Sequence, residues 1–341
     1  MRCIEGYLQD RNQYVQIKSG KNVFNSPTAP IKGGVPQGSV IGSSMFKIFV
    51  NDAPLFIKLK CLAVILSIFL IILFADDILL VISNNSLDRL EIDAFILLNI
   101  LKQWADLNLL EVNGDKTKFM LISTKNIIGS FKLLMDNEEI ERVATIKYLG
   151  TLMDEKLKFD LHVNEICSKM HTYIFVLKML SKFCDFDVLF KVYHALIISR
   201  IDYCINSWTQ CSKFLIERVF RIQKRALRTI LKLNSYDSCR TRFKSSGLLT
   251  VPSLLIFRSI MNFVINKLDP RNANANCQVN TRNAGITAAM KGSPTLRRGH
   301  AFFLKLPDDL KKMYGAKNFK AKLKEYLING EYYEINEYTQ D

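Results

Sequence analysis

Leu70-Ile71-Ile72-Leu73-Phe74-Ala75-Asp76-Asp77-Ile78-Leu79-Leu80-Val81-Ile82 sets two adjacent carboxylates in the middle of an apolar run. Nearly unbroken apolar sequence already begins at Cys61. Up to Phe74 the run is too short to cross a bilayer as a helix. Extending it to spanning length brings in both Asp residues, each costing about 2.5–3.5 kcal/mol near a membrane centre. Two strands, Leu70 to Phe74 and Ile78 to Ile82, joined at the Asp pair are the cheaper arrangement. Adjacent like charges repel, and flanking apolar strands tend to desolvate them. Mg²⁺ or Mn²⁺ relieves both penalties, since Mg²⁺ takes carboxylate oxygens together with substrate phosphates and water. With a third carboxylate such a site holds two metals about 3.5–4 Å apart, one at the attacking hydroxyl and one at the leaving oxygen.

Outward from this run, the pattern predicts an α+β unit. Tyr14-Val15-Gln16-Ile17 alternates and leads through Ser19-Gly20-Lys21-Asn22 into a hairpin ending near Phe24. Pro27 to Pro36 is a loop. Ser39 to Ile57 reads as helical, with Ile41, Met45, Ile48 and Phe49 at helical spacing. Ser86 caps a helix to about Leu109, Lys118 to Ile122 returns to strand, and Gly129 to Leu152 reads as further hairpin structure. Beyond residue 152 the sequence turns helical. Val163, Ile166, Cys167, Met170, Ile174 and Leu177 form one apolar stripe. Further helices are predicted over Asp187–Ser199, Lys213–Leu233, Leu254–Lys267, Leu306–Met313 and Phe319–Ile328, with a basic loop from Asn272 to Gly299. The predicted division is 1–152, 153–270 and 271–341.

Charge is as uneven as structure. The 341 residues carry 47 Lys+Arg and 32 Asp+Glu, a net +15. Residues 1–200 hold 23 basic and 21 acidic side chains, residues 201–300 hold 17 and 4, and the last 41 balance at 7 each. A surplus gathered in one third of the chain points to a polyanionic partner. With 49% apolar residues, a disordered tail, a collagen-like chain and a mucin-like stalk are excluded. The eight Cys form no C-x-x-C pair and the four His complete no zinc spacing, so free thiols are expected. Residues 1–16 contain no apolar signal core. An intracellular protein of nucleus or cytoplasm, neither secreted nor transmembrane, is the expectation.

Five strings occur in order: Gly34-Val35-Pro36-Gln37-Gly38-Ser39, Phe49-Val50-Asn51-Asp52-Ala53-Pro54, Phe74-Ala75-Asp76-Asp77, Asn113-Gly114-Asp115-Lys116-Thr117-Lys118 and Lys147-Tyr148-Leu149-Gly150. As an ordered set they resemble the reverse transcriptases of non-LTR (LINE-like, jockey-like) retrotransposons. The resemblance extends over most of the chain. It implies a partial right-hand polymerase palm, an antiparallel sheet with packed helices, followed by a mostly helical thumb and a C-terminal extension. It also implies two-metal nucleotidyl transfer to a primer 3′-hydroxyl, with an RNA template, a DNA primer or RNA/DNA hybrid, and dNTP as partners, and no membrane. Asp76 and Asp77 match the metal-binding catalytic turn. Phe74, Ala75, Gly34, Pro36, Gln37, Gly38 and Ser39 match nucleotide- and template-binding positions, where glycine lets backbone approach a ligand. Lys116 matches a lysine near the nucleotide phosphates, and Lys147, Tyr148, Leu149 and Gly150 match the primer-gripping hairpin.

Arg218, Arg221, Arg225, Arg228 and Lys232 recur at three- and four-residue steps and are expected to share one helix face. With Lys224 they form a candidate track for a nucleic-acid backbone. The family's first metal-binding Asp lies before the hairpin that here starts near Tyr7, whereas this chain begins at Met1. The fingers and that carboxylate are therefore expected to be missing, leaving an incomplete two-metal site and weak or no activity in the isolated chain. Ser43 also stands where the family usually has Pro. The alternative is a non-catalytic nucleic-acid-binding remnant that uses the basic helical region.

Overall fold

A computed structural model describes residues 7, 9–31, 33–36, 38–61, 65, 67–123, 131–136, 138–268 and 293–340. Its contacts divide the chain into two units, Met1–Phe119 with Ile128–Arg142, and Met120–Ile127 with Val143–Asp341. Helices and small sheets are mixed, as a reverse-transcriptase-like pattern requires.

In the first unit, β1 (Gln16–Ser19) and β2 (Asn22–Asn25) form the expected hairpin, reversing at Gly20 with φ +61°. The helical stretch from Ser39 breaks in two, giving α1 (Gly42–Phe49) and α2 (Ala53–Cys61). A turn at Asn51-Asp52 separates them, and Pro54 in the first turn of α2 prevents one continuous helix. The apolar run forms β3 (Ile68–Phe74) and β4 (Asp77–Ser83), seven antiparallel pairs in full register. Ser86 caps α3 (Leu87–Leu107), its hydroxyl accepting the Arg89 N–H at 3.3 Å.

One face of β3–β4 packs inward through Phe69, Ile71, Leu73, Leu80 and Ile82 against Ile57, Leu97, Leu101 and Trp104. Trp104 is buried in this core and donates its indole N–H to Asp52 at 3.2 Å. Where one antiparallel sheet was expected, the described residues form only two-stranded ladders, and one of these, Lys118–Phe119 with Glu141–Arg142, is parallel. Among the described residues no third strand pairs with β3 or β4, so the apolar run forms a hairpin and goes no further. The strand expected over Lys118–Ile122 is confined to its first two residues.

The second unit opens with the hairpin β5 (Thr145–Tyr148) and β6 (Thr151–Asp154), followed by α4 (Asp160–Leu180) and α5 (Phe186–Tyr193). The expected α4 stripe is buried throughout. It packs on α6 (Lys213–Ile230), whose buried side includes Val219, Ile222, Ala226 and Ile230. Full burial of one such side chain is worth about 1.5–3 kcal/mol. Gln223 of α6 is buried but satisfied, donating to the Leu249 carbonyl at 2.9 Å and accepting the Val251 N–H at 2.9 Å. These bonds fix the start of α7 (Val251–Leu268), which is apolar on most of its circumference.

The expected basic loop ends earlier than its composition suggested, and residues 272–292 of it lie outside the described residues. Ser293 caps α8 (Pro294–Leu304), with Pro294 at the first position, so Pro294 to Gly299 is helical. Gly299 lies where a Cβ would meet the Ser259 carbonyl oxygen of α7 at 2.2 Å. Gly299→Ala is therefore expected to destabilise the second unit by about 1–3 kcal/mol; an unchanged thermal midpoint would contradict this close packing. The helices α9 (Phe319–Gly330) and α10 (Ile335–Gln340) join the same core through Phe319, Leu323, Leu327 and Tyr338. The helices from α4 to α7 and the C-terminal helices thus share one core. Among the described residues no helix is long and apolar enough to cross a membrane.

Candidate active site and nucleic-acid interface

The Asp pair stands at the tip of β3–β4. Phe74 pairs with Asp77, leaving Ala75 and Asp76 as a two-residue turn. Ala75 takes φ +51°, a left-handed conformation that costs a residue with a Cβ roughly 1–2 kcal/mol. Strain of this kind tends to persist where a turn has a task. Asp76 and Asp77 are exposed, which corrects the expectation that flanking strands desolvate them. A two-residue turn holds both carboxylates beyond the apolar side chains, in water. Among the described residues no three His, Cys, Asp or Glu side chains gather into a metal-holding group. The pair fits one Mg²⁺ that keeps most of its water or phosphate ligands. It does not by itself fit a two-metal cage.

Two neighbouring motifs leave the same core. Phe46 and Val50 of the segment following the glycine loop, and Leu110 and Val112 before Asn113, pack with the inner face of β3–β4. Gly34 and Gly38 have φ +78° and +80°, and open space surrounds the position of a Cβ at each, so backbone conformation is what requires glycine. Ser39 Oγ accepts the Tyr7 hydroxyl at 2.6 Å and the Gly42 N–H at 3.1 Å, while the Ser39 N–H donates to the Pro36 carbonyl at 3.3 Å. Gln37 lies outside the described residues. Lys116 is exposed on a turn set by Asn113, whose side chain accepts the Lys116 N–H at 3.0 Å. The groove beside it, about 200 Å³, is lined by Asp115, Glu138, Glu139 and Glu141, against a single cation, Lys118, that pairs with Glu141. Such a lining repels a triphosphate.

Lys147, Tyr148, Leu149 and Gly150 belong to the second unit. Lys147 lies 3.8 Å from Glu165. Leu149 and Gly150 turn the hairpin with φ +45° and +81°. The Tyr203 hydroxyl donates to the Leu149 carbonyl. At the hairpin's other strand, His162 Nδ1 accepts the Leu152 N–H at 3.3 Å. Burial, joined by Lys169 and Lys147 and opposed by Glu165, holds the His162 imidazole below its ordinary value. Its folded value being depressed, His162 adds stability that is complete above the ordinary histidine value of about 6.5 and is lost as pH falls below it. Melting of the second unit is expected at lower temperature at pH 5.5 than at pH 7.5, with His162→Gln flattening the difference. An equal pH slope in the variant would remove His162 from the account.

The basic helix is more selective than its spacing implied. Arg221 and Arg225 of α6 are exposed. Arg218 donates to Asn164 at 2.6 Å, and Arg228 Nε donates to the Asp237 carbonyl at 2.8 Å. The Lys224 ammonium lies over Phe220 at 4.7 Å and Tyr333 at 5.7 Å. Burial lowers its pKa, and nearby Arg228 and Arg221 add to this against an opposing Cys239. Lys232 is not on the helix, which ends at Ile230; it follows in a turn with φ +54°.

Residues 7–153 match the family described as reverse transcriptase (RNA-dependent DNA polymerase). Over those residues the chain is similar to reverse transcriptases. It is 23% identical over 67% of its length to the RNA-directed DNA polymerase from mobile element jockey of Drosophila melanogaster, covering 24% of that protein. It is 25% identical over 73% of its length to the probable RNA-directed DNA polymerase from transposon BS of the same species, covering 27% of it. The chain thus spans about a quarter of the length of these curated relatives. No solved structure matches it significantly. The reverse transcriptase match includes the glycine loop, the Asp turn, Lys116 and the Lys147–Gly150 hairpin, and ends before the basic helix.

Motif reading missed Asp93, His162 and Tyr203 in this sequence. Each acts on a motif from a distance along the chain: Tyr203 is 54 residues from Leu149, and Asp93 is 26 from Ser67. Asp93 alone left a trace, as a charge among the apolar positions of α3.

Proposed function

We propose that this chain serves RNA-directed DNA synthesis, with the Asp76–Asp77 turn as its metal-binding centre and the basic helical unit as its grip on template and primer. The observation that carries the reading is the turn itself: two exposed carboxylates, Asp76 in a strained two-residue turn and Asp77 at the start of the strand after it, leaving the same core as the glycine loop and the Lys116 segment. A divalent cation bound there would supply charge neutralisation for two-metal nucleotidyl transfer to a primer 3′-hydroxyl. Asp76 and Asp77 would hold it. The backbone at Gly34 and Gly38 would admit the nucleotide closely, and the Lys116 ammonium, exposed and outside the lining of the acidic groove, would offset phosphate charge from its solvent side. Palm-like and thumb-like roles are assigned to the first and second units on this reading, with RNA template, DNA primer or RNA/DNA hybrid, and dNTP as partners.

Two carboxylates with no third gathered beside them among the described residues favour weak or absent synthesis by the chain alone, and a nucleic-acid-binding role through the basic helix as the second reading. Primer extension on an RNA template with Mg²⁺ or Mn²⁺, paired with binding of an RNA/DNA hybrid, separates them. Hybrid binding with little extension is the expected result. Robust extension abolished by Asp76→Ala would overturn the inactive reading and establish the catalytic one. Failure to bind any nucleic acid would overturn both.

A further inference from the structure

Ten basic residues and two acidic ones occupy residues 213–244. Among the described residues, none of Arg221, Lys224, Arg225, Arg228 and Lys232 forms an ion pair with a carboxylate. Two exposed rings lie within this stretch. Phe214, 62% exposed, sits at the start of α6 on the same face as Arg218, Arg221 and Arg225, and the Arg221 guanidinium lies 5.8 Å from its ring centre. Tyr236, 97% exposed, stands on the turn that follows the helix.

That turn is built, not loose. The Asp237 N–H donates to the Asn234 carbonyl at 3.2 Å, and the Asp237 carboxylate accepts the Asn234 N–H at 2.8 Å. The Leu233 N–H returns to the Arg228 carbonyl at 2.9 Å, and Arg228 Nε donates to the Asp237 carbonyl at 2.8 Å. The Cys239 thiol completes the docking on the Lys224 carbonyl at 3.7 Å. Arg228 therefore holds the turn against α6 while remaining part of the positive field. A nearly fully exposed tyrosine on a clamped turn is a poor use of an apolar ring unless a flat partner covers it. Preorganisation of this kind lowers the entropy lost when a partner binds.

We propose that α6 and the turn after it form a binding track for single-stranded RNA. Arg221 and Arg225 meet its phosphates, and an unpaired base stacks on Tyr236. The proposal deepens the template-binding role given above to the basic helical unit and rests on it. Exposed cations alone would suit any nucleic acid, but a ring offered for stacking requires a base that is free of its partner strand. Affinity should be sequence-tolerant, because every base has a π-face, and should fall with salt at a slope near −0.7 for each phosphate met.

The test uses the full chain and a fluorescent single-stranded RNA of about a dozen nucleotides, followed by anisotropy, beside an RNA duplex of the same sequence. Tyr236→Ala is expected to weaken single-strand binding about five- to a hundredfold, the range of one base–aromatic stack, and to leave duplex binding unchanged. Tyr236→Phe should retain it. Tyr236 is nearly fully exposed, so an unaltered melting temperature checks that the alanine variant is folded. Arg228→Gln, which releases the turn, should lose part of the same single-strand affinity. If the chain binds RNA and Tyr236→Ala binds as tightly as wild type, or loses duplex affinity equally, this proposal falls and the basic-grip reading stands. If wild type binds no nucleic acid, the grip reading falls with it.

Discussion

Asp93→Ala is expected to cost the first unit about 2–4 kcal/mol, because it strands two donors on Ser67 and removes the carboxylate facing a partly exposed Arg89. Asp93 is fully buried on α3. Its Oδ2 accepts the Ser67 N–H at 3.0 Å and the Ser67 hydroxyl at 2.6 Å, and its Oδ1 faces the Arg89 guanidinium at 3.0 Å. Asn84 donates to the Ser67 hydroxyl at 2.9 Å and accepts the Ser86 N–H at 3.0 Å. Ser67 precedes β3 and Asn84 follows β4, so one carboxylate ties the open end of the hairpin to α3, opposite the Asp76–Asp77 tip. Alanine would leave the Ser67 N–H and hydroxyl without their acceptor, each loss costing about 1–3 kcal/mol. Hydrogen exchange checks this directly. Amides of β3 and β4 should lose protection while those of α4 and α7 keep theirs. Asp93→Asn, which retains acceptors for Ser67 but not the charge facing Arg89, should fall between. Wild-type protection of the hairpin in Asp93→Ala would remove the clamp from this account.

The second large effect concerns affinity. The double variant Arg221→Glu/Arg225→Glu is expected to bind an RNA/DNA hybrid about a hundredfold more weakly, on the order of 1.4 kcal/mol for each side chain reversed. Both residues are exposed, so the fold should survive. The salt dependence should also become shallower, because fewer counterions are released. Lys224→Gln is the contrast. Its ammonium is held over Phe220 and Tyr333, and its loss should change hybrid affinity far less. Equal losses from Lys224→Gln and the double reversal would mean that the whole basic stretch acts as a diffuse field. Titration by fluorescence anisotropy at several salt concentrations reads both quantities.

The elements of the fold were largely legible because their periodicities are local. The apolar run broken by the Asp pair predicted β3 and β4 to within two residues at each outer end, and the α4 stripe is buried at every expected position. The misreadings have physical causes. Ser39 to Ile57 has helical spacing throughout, but the Asn51-Asp52 turn and Pro54 interrupt it. Pro294 looked like loop composition, yet with Ser293 before it proline occupies the one helical position that suits it. Lys224 and Arg228 stand at phosphate-binding spacing on a helical wheel. Which of them reaches solvent depends on Phe220, Tyr333 and Asp237, and none of these is visible from spacing.

Residue order by itself determined the carboxylate turn, the glycines that must take positive φ, the apolar faces and the concentration of positive charge. All of these depend on neighbours within a few residues, where covalent geometry and periodicity govern. Tertiary structure alone decided that Asp76 and Asp77 stand in water, that Asp93 clamps the hairpin bearing them, and that the Lys147–Gly150 hairpin is braced by His162 and Tyr203. It also decided that Arg228 holds the turn presenting Tyr236. Burial and hydrogen bonding at these places come from residues up to 54 positions apart. Their energies arise only once the chain has brought them together.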